Sequence, residues 1–284
     1  MLPNFLIIGS MKAGTTSLYR YLGEHPQVYV SEKKELNYFS TGIDGGVSRD
    51  EYEACFDAGT GARALGEASV SYSKFPVHPR VASRIAEQLP EVRLIYVIRH
   101  PIDRMRSQWM HMSANGEEVR PMADALLEDS RYVDFSSYAL QLEQYLSYFP
   151  RDQILVLTSE DLRDARRETL KRVFEFLDID RNWWGPELEV EYHPSAPKRR
   201  PSSLTRRLRH LGAYRALAGR APAFARKVNR AALSRPMTVA TTNLPADVRR
   251  QLESLLRDDL LALKGILGVG FDAWGLVPET ESQP

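Results

Sequence analysis

The chain has 284 residues, 43% hydrophobic and 10% aromatic, a composition typical of a globular protein with a sizeable core. Its 38 lysines and arginines nearly balance its 37 aspartates and glutamates, and its single cysteine, Cys55, excludes an internal disulfide. No apolar run approaches the ~18 residues of a membrane span, and no basic signal region precedes the first apolar segment. These features lead us to expect a cytoplasmic protein.

The first predicted unit is a strand, a glycine loop and a helix. The apolar run Phe5–Ile8 predicts a buried strand, Gly9 and Gly14 bound the loop, and the helix runs from Thr15 to about Leu22. This arrangement aims backbone N–H groups and a helix N-terminus at a phosphate. The residues expected to bind that phosphate are Lys12, Ala13, Gly14, Thr15, Thr16 and Ser17.

The loop differs from the phosphate loop of nucleoside triphosphatases, which reads G-x-x-x-x-G-K-[ST]. Gly9 and Gly14 keep that spacing, but Thr15 and Thr16 stand where the lysine and the magnesium-binding hydroxyl belong. The lysine lies inside the loop instead, at Lys12. This departure disfavours magnesium-dependent ATP hydrolysis, although a nucleotide or metabolite kinase on the same fold stays open as an alternative.

A second site is predicted where the clearest strand, Val92–Ile98, ends in Arg99-His100-Pro101. A triphosphatase would carry there the aspartate that orients Mg²⁺, so we expect no metal. Ligands of open α/β sheets bind outside the carboxyl ends of strands, and Arg99 should therefore face the same crevice as the glycine loop. Proline favours a helix start, and Ser107 follows about two helical turns on. Arg99 and Ser107 would together hold a second phosphate.

Strands and helices alternate along the rest of the core. This order predicts an α/β fold of the P-loop type, three layers with a mostly parallel central sheet flanked by helices. We treat residues 1–284 as one domain, with a core at 1–190, a basic segment at 191–245 and a C-terminal helix packed on the core at 246–275. The other predicted elements are strands at 28–30, 64–71 and 153–157, helices at 79–89, 101–113, 132–148, 163–177 and 246–263, and an irregular stretch at 41–62.

The basic segment concentrates the positive charge of the chain. From Tyr192 to Ala246 there are 12 lysines and arginines and no aspartate or glutamate, so an anionic partner would bind there. Apolar positions between residues 204 and 217 fit a core, an anionic membrane surface reached through residues 204–235, or an acidic acceptor. A non-catalytic module that binds an anionic lipid or polymer through residues 198–235 is a further alternative. We expect no nucleic-acid partner.

The motifs resemble, in the same order, those of the sulfotransferases that use 3′-phosphoadenosine 5′-phosphosulfate (PAPS), particularly the heparan sulfate and carbohydrate branch. The resemblance covers most of residues 4–180 and is carried by Phe5–Ser17, Lys34–Phe39, Glu67–Tyr72, Arg99 with Ser107, and Tyr138–Leu157. It implies a transferase of the EC 2.8.2 type. Such an enzyme moves the sulfuryl group from PAPS, without a metal, to a hydroxyl or amine of a carbohydrate, glycolipid or small metabolite.

The resemblance also assigns roles to residues. Lys12 would stabilise the leaving phosphate, Arg99 and Ser107 would bind the 3′ phosphate, and Glu35 in its K-E-x-x-F setting would be the general base. The basic loop over the nucleotide would be supplied by Lys198, Arg199 and Arg200. Contacts with the acceptor are expected from Lys34, Asn37, Ser69, Tyr72 and His193.

The chain departs from the heparan-directed members at three places. Those members have histidine where Asn37 stands, lysine where Ala68 stands, and a bridged cysteine pair in their C-terminal part that is missing here. The histidine and lysine help in catalysis or in contact with the acidic sugar there. Their absence disfavours a uronic-acid polymer as acceptor.

Overall fold

The computed structural model describes residues 1–190, 199–201, 234–236 and 243–278. A five-stranded sheet forms its centre, in the order β2-β3-β1-β4-β5, and every neighbouring pair of strands is parallel. The prediction of a mostly parallel central sheet is therefore confirmed. The strands are β1 (Phe5–Gly9), β2 (Val28–Val30), β3 (Ala64–Ala68), β4 (Arg93–Ile98) and β5 (Ile154–Thr158).

Helices cover both faces of the sheet. Successive residues of a strand point to opposite sides, so the apolar strands present apolar side chains on both faces. In β1, Leu6 and Ile8 join one apolar cluster, whereas Phe5 and Ile7 join the other. The described helices are α1 (Thr15–Glu24), α2 (Arg49–Ala54), α3 (Val81–Gln88), α4 (Pro101–Asn115), α5 (Met122–Glu128), α6 (Ser130–Asp134), α7 (Tyr138–Leu146), α8 (Ser159–Asp164), α9 (Arg166–Phe176) and α10 (Ala246–Leu267). Two short antiparallel strands, β6 (Arg199–Pro201) and β7 (Ser234–Pro236), pair separately from this sheet.

Several predicted boundaries were wrong. The stretch 41–62 contains α2, which begins with a capping box between Ser48 and Glu51. The predicted helix 132–148 is two helices, α6 and α7, and the predicted helix 163–177 is α9 preceded by the separate α8. Strand β3 stops at Ala68 instead of Ser71, and beyond it the N–H of Val70 donates to the side chain of Glu35 (2.9 Å).

Helix α10 fastens the C-terminal part to the core. Its buried face packs against α7 and consists of Val248, Leu252, Leu256, Leu260 and Leu263. From the same helix Asp259 accepts hydrogen bonds from the N–H groups of Ala139 (3.2 Å) and Leu140 (2.8 Å) at the start of α7. These N–H groups have no partner within their own helix, so α10 caps α7 from outside.

We expect Asp259→Ala to lower the free energy of unfolding by about 1–2 kcal/mol at pH 5, since two N–H groups lose their acceptor. Burial raises the pKa of Asp259 from 3.8 to about 6. Protonation of Asp259 therefore stabilises the folded state fully below about pH 4, and this stabilisation is lost as the pH rises through 6. Asp259→Asn keeps an acceptor oxygen and should remove only this pH dependence. Urea unfolding at pH 5 and 7 measures both effects, and equal losses in the two variants would contradict the capping role.

Candidate active site

The loop between β1 and α1 depends on its two glycines. A Cβ on Gly9 would lie 1.8 Å from Oγ of Ser73, so no other residue fits there without a shift. Gly14 has φ 100° and caps α1 without a side-chain hydrogen bond. Thr15 is buried directly behind it as the first residue of the helix. Within the described residues no side chain caps the start of α1, and such a helix start suits an anion.

Lys12 lies in this loop in the left-handed conformation (φ 74°). Its carbonyl oxygen accepts a hydrogen bond from Nη1 of Arg99 (3.2 Å), which links the loop to the end of β4. Burial, and then the charges of Arg99 and Lys34, lower the pKa of the Lys12 ammonium. The charges of Arg99 and Lys34 thus disfavour the charged form of Lys12, and a bound anion would offset that effect.

The Arg99 end of β4 is held by Tyr138 of α7. The tyrosine hydroxyl donates to the Arg99 carbonyl (2.7 Å) and accepts from the Arg99 N–H (3.3 Å). Ser107 lies further along α4 and is nearly buried. The backbone of β6, which contains Arg199 and Arg200, packs against α4. The chain therefore brings part of the basic segment beside the helix that carries Ser107, whereas Lys198 and His193 lie outside the described residues.

Arg104 of α4 lies behind the loop and was not predicted as a site residue. It is fully buried, and burial lowers its pKa. In the described part of the chain its guanidinium donates to four neutral oxygens: Ser136 Oγ (2.7 Å), Gln108 Oε1 (2.8 Å), the Tyr132 carbonyl (2.9 Å) and the Met11 carbonyl (3.4 Å). These bonds join the loop to the break between α6 and α7. They also leave a positive charge without an acidic partner among these contacts beneath the loop.

Glu35 follows β2 on a left-handed turn (φ 62°). Its N–H donates to the Ala68 carbonyl (2.9 Å), and its Oε2 accepts from the N–H of Val70 (2.9 Å). Its Oε1 forms an ion pair with the ammonium of Lys34. The Glu35 side chain is 35% exposed, so the carboxylate is held in place yet remains accessible to a molecule from solvent.

Asn37, two residues later, is also left-handed (φ 56°), and its polar groups form hydrogen bonds within the protein. Its Nδ2 donates to the Glu35 carbonyl (2.8 Å), its Oδ1 accepts from Ser71 Oγ (2.5 Å), and its N–H donates to Ser69 Oγ (2.9 Å). Strain of this kind collects at functional sites. Three of the six non-glycine residues with positive φ in the described ranges, Lys12, Glu35 and Asn37, lie in this site.

Two residues predicted to contact the acceptor are buried instead. Ser69 is fully buried and Tyr72 is 2% exposed. Both hydroxyls donate to the carboxylate of Glu67 (2.6 and 2.5 Å), which lies in β3. A motif places such residues along the chain but not above or below the site surface. Ser69 and Tyr72 therefore support the site from beneath and do not form its wall.

Comparison with known families gives a match over this region. A family model described as the sulfotransferase domain matches residues 2–192, which include both predicted phosphate motifs and the Glu35 turn. The chain belongs to the sulfotransferase family. As a sulfotransferase it has the family's α/β fold, and the membership predicted from its motifs is confirmed.

Its relatives include several heparan sulfate enzymes. The sulfotransferase is 30% identical over 201 residues to human bifunctional heparan sulfate N-deacetylase/N-sulfotransferase 2, a match that covers 63% of this chain and 22% of that protein. It is 37% identical over 111 residues to the membrane-associated sulfotransferase kil1 of Dictyostelium discoideum, covering 38% of this chain and 22% of the other. The chain thus spans about a fifth of the length of these curated relatives.

A solved structure extends the likeness of fold to nearly the whole chain. The sulfotransferase from Alicyclobacillus acidocaldarius superposes with a TM-score of 0.71 and 24% identity, covering 97% of this chain and 99% of that one. Among the residues that our structure describes, no helix is both long and apolar enough to cross a membrane. Within the same ranges, no three His, Cys, Asp or Glu side chains are grouped so that they could hold a metal ion.

Proposed function

We propose that this sulfotransferase moves a sulfuryl group from PAPS to a hydroxyl or amine of a carbohydrate or small-metabolite acceptor. One observation carries the proposal: Arg99 at the end of β4 bonds the carbonyl of Lys12, in the loop that leads into α1, and no described side chain caps that helix. Such a site fits the 5′ phosphosulfate of PAPS, because it offers both helix N–H groups and point charges. Glu35 lies beside it, paired with Lys34.

Bound PAPS would supply an activated sulfuryl group on its 5′ phosphate. Lys12 would then stabilise the negative charge that develops on the bridging phosphate oxygen as the bond to sulfur breaks. A cation at that oxygen favours the transition state more than the ground state. Its partial burial strengthens this effect, since charges interact more strongly away from water. The N–H groups and hydroxyls of the first turn of α1 would hold the same phosphate, chiefly through Thr15, Thr16 and Ser17.

The 3′ phosphate would bind at the end of β4 and on α4. Arg99 is held at the crevice by Tyr138 and already reaches the loop through the Lys12 carbonyl. Ser107 would add a hydroxyl from α4, and the backbone of β6 brings Arg199 and Arg200 near that helix. Recognition of two separate phosphates would distinguish the 3′-phosphorylated nucleotide from ADP and ATP.

Glu35 would take the proton of the acceptor. Its carboxylate is oriented by Val70 and Lys34 and is accessible from solvent, as a general base must be. A hydroxyl or amine of a sugar, glycolipid or small metabolite would lie against Glu35 and Lys34. A location in the cytoplasm, with contact of residues 204–235 to an anionic membrane surface, is part of the same proposal.

The test is calorimetric binding of 3′-phosphoadenosine 5′-phosphate (PAP), compared with ADP and ATP, with and without Mg²⁺. We expect tight binding of PAP without metal, weakened about 10–100-fold in Arg99→Ala, since a charge-assisted hydrogen bond contributes about 1.5–3 kcal/mol. ADP binding should change little in that variant.

The matched control is Arg63→Ala. Arg63 precedes β3 at the opposite end of the sheet and pairs with Asp178, so PAP binding should persist there. Preference for ATP with Mg²⁺ would favour the kinase alternative. Binding of neither nucleotide, with retention of anionic lipid or polymer, would favour the non-catalytic module.

A further inference from the structure

Glu67 is a fully buried carboxylate whose described contacts are hydroxyls rather than cations. Tyr52 (3.1 Å) and Tyr72 (2.5 Å) donate to its Oε1, and Ser69 donates to its Oε2 (2.6 Å). Burying a carboxyl group is costly unless hydrogen bonds compensate it. The three hydroxyl donors compensate that cost, and one of them, Ser69, also connects Glu67 with the segment that carries Glu35.

The connection depends on the single proton of the Ser69 hydroxyl. Ser69 Oγ also accepts the N–H of Asn37 (2.9 Å). Because Asn37 donates in that bond, the Ser69 proton has to point to the other neighbour, which is Oε2 of Glu67. The carboxylate thus fixes the direction of the serine hydroxyl and leaves a serine lone pair facing Asn37.

Asn37 in turn holds Glu35. Its Nδ2 donates to the Glu35 carbonyl (2.8 Å), and both residues have positive φ, at 56° and 62°. A left-handed non-glycine residue persists only where its surroundings enforce it. Ser69 and Glu67 supply part of that enforcement from β3, directly beneath the turn.

We infer that Glu67 is a positioning residue for the base: through Ser69 and Asn37 it holds the strained turn that points Glu35 at the acceptor. It does not touch substrate, because it is fully buried. The inference rests on the proposed function, since it takes Glu35 as the base. No role for Glu67 follows from the motif in which it occurs.

The titration of Glu67 agrees with this geometry. Burial raises its pKa to about 7, against the lowering effect of the Ser69, Tyr72 and Tyr52 hydroxyls, and the charge of Glu35 raises it further. The titratable groups that interact with it are Tyr19, Glu35, Tyr52, Cys55 and Tyr72. The carboxylate form, which the Ser69 bond requires, is therefore favoured as the pH rises through 7.

The experiment compares two hydrogen bonds to the same carboxylate. Ser69→Ala removes the bond that leads to Asn37, whereas Tyr52→Phe removes one that does not. Transfer from [³⁵S]PAPS is followed in single turnovers with water as acceptor, and PAP binding is measured by calorimetry. Glu67→Gln is a third variant, and Ser69→Ala carries the test if Glu67→Gln does not fold.

We expect Ser69→Ala and Glu67→Gln to slow transfer about 10–100-fold, the effect of a misplaced catalytic group. PAP binding should stay within about twofold, and Tyr52→Phe should lower the melting temperature similarly but slow transfer less than about threefold. In a Glu35→Gln background Ser69→Ala should have almost no further effect, because the two residues act as one unit.

Three results would overturn the inference: equal rates in Ser69→Ala and Tyr52→Phe, an undiminished effect in the Glu35→Gln background, or parallel loss of PAP binding. Failure of the proposed function looks different. In that case wild-type protein would not bind PAP, or Glu35→Gln alone would transfer sulfuryl at the wild-type rate.

Discussion

Replacing Lys12 by methionine is expected to lower the rate of sulfuryl transfer by about 10²–10³-fold, the usual effect of removing one preorganised charge or donor from a developing anion. Methionine has an unbranched side chain one atom shorter than that of lysine, and it carries no charge. The left-handed backbone at Lys12 is equally unfavourable for either residue, so the substitution adds no new strain. In the proposed site the product PAP would retain other phosphate ligands, and its affinity should therefore fall much less than the rate.

The stability of Lys12→Met gives the same prediction a second readout. Burial, Arg99 and Lys34 lower the pKa of Lys12, which means that the folded protein disfavours its charge. Below that pKa the charged lysine therefore destabilises the ligand-free fold, and its removal should leave the melting temperature unchanged or raise it. PAP should then raise the melting temperature less than in wild type.

Single-turnover transfer from [³⁵S]PAPS and thermal unfolding with and without PAP measure these effects. Lys33→Met is the control, because Lys33 is an exposed lysine in the neighbouring segment that carries Glu35. A normal rate in Lys12→Met, or a loss of the ligand-free fold, would remove Lys12 from the proposed mechanism.

The main elements of the fold could be predicted because their signals are local. The apolar runs of β1 and β4 appear as strands, and the carboxyl ends of parallel strands meet at one edge. That rule places Arg99 near the glycine loop, where the structure has it bonded to the Lys12 carbonyl. The break between α6 and α7 could not be predicted in this way. Ser136 lies in that break, and its hydroxyl accepts a hydrogen bond from Arg104, which is distant in the sequence.

The motifs did not predict which of the site residues are buried. Ser69 and Tyr72 follow Glu67 in one motif, yet which side chains face the acceptor depends on how the chain turns after β3. Arg104 carries no local sign of its role, since each of its partners is brought to it by the tertiary fold. The capping box of α2, formed by Ser48 and Glu51, lies within the glycine-rich stretch that was predicted to be irregular.

Replacing Glu35 by glutamine is expected to slow transfer by about 10²–10⁴-fold, the contribution of a positioned general base. The amide oxygen can still accept the N–H of Val70, so the turn should keep its shape. What disappears is the ability to take a proton, together with the ion pair to Lys34. Because the proposal assigns Glu35 to the acceptor and not to the nucleotide, PAP affinity should change by less than about threefold, in contrast to Arg99→Ala.

Glu32→Gln is the matched control, since Glu32 is an exposed carboxylate three residues earlier on the same segment and no described contact ties it to the site. The variant also frees Lys34 from its ion pair, and that lysine could then bind an anionic acceptor more tightly. A lower rate with water as acceptor, which carries no charge for Lys34 to bind, would therefore assign the proton to Glu35. A rate that matches Glu32→Gln would require another base, and the turn from Lys34 to Asn37 would then serve binding alone.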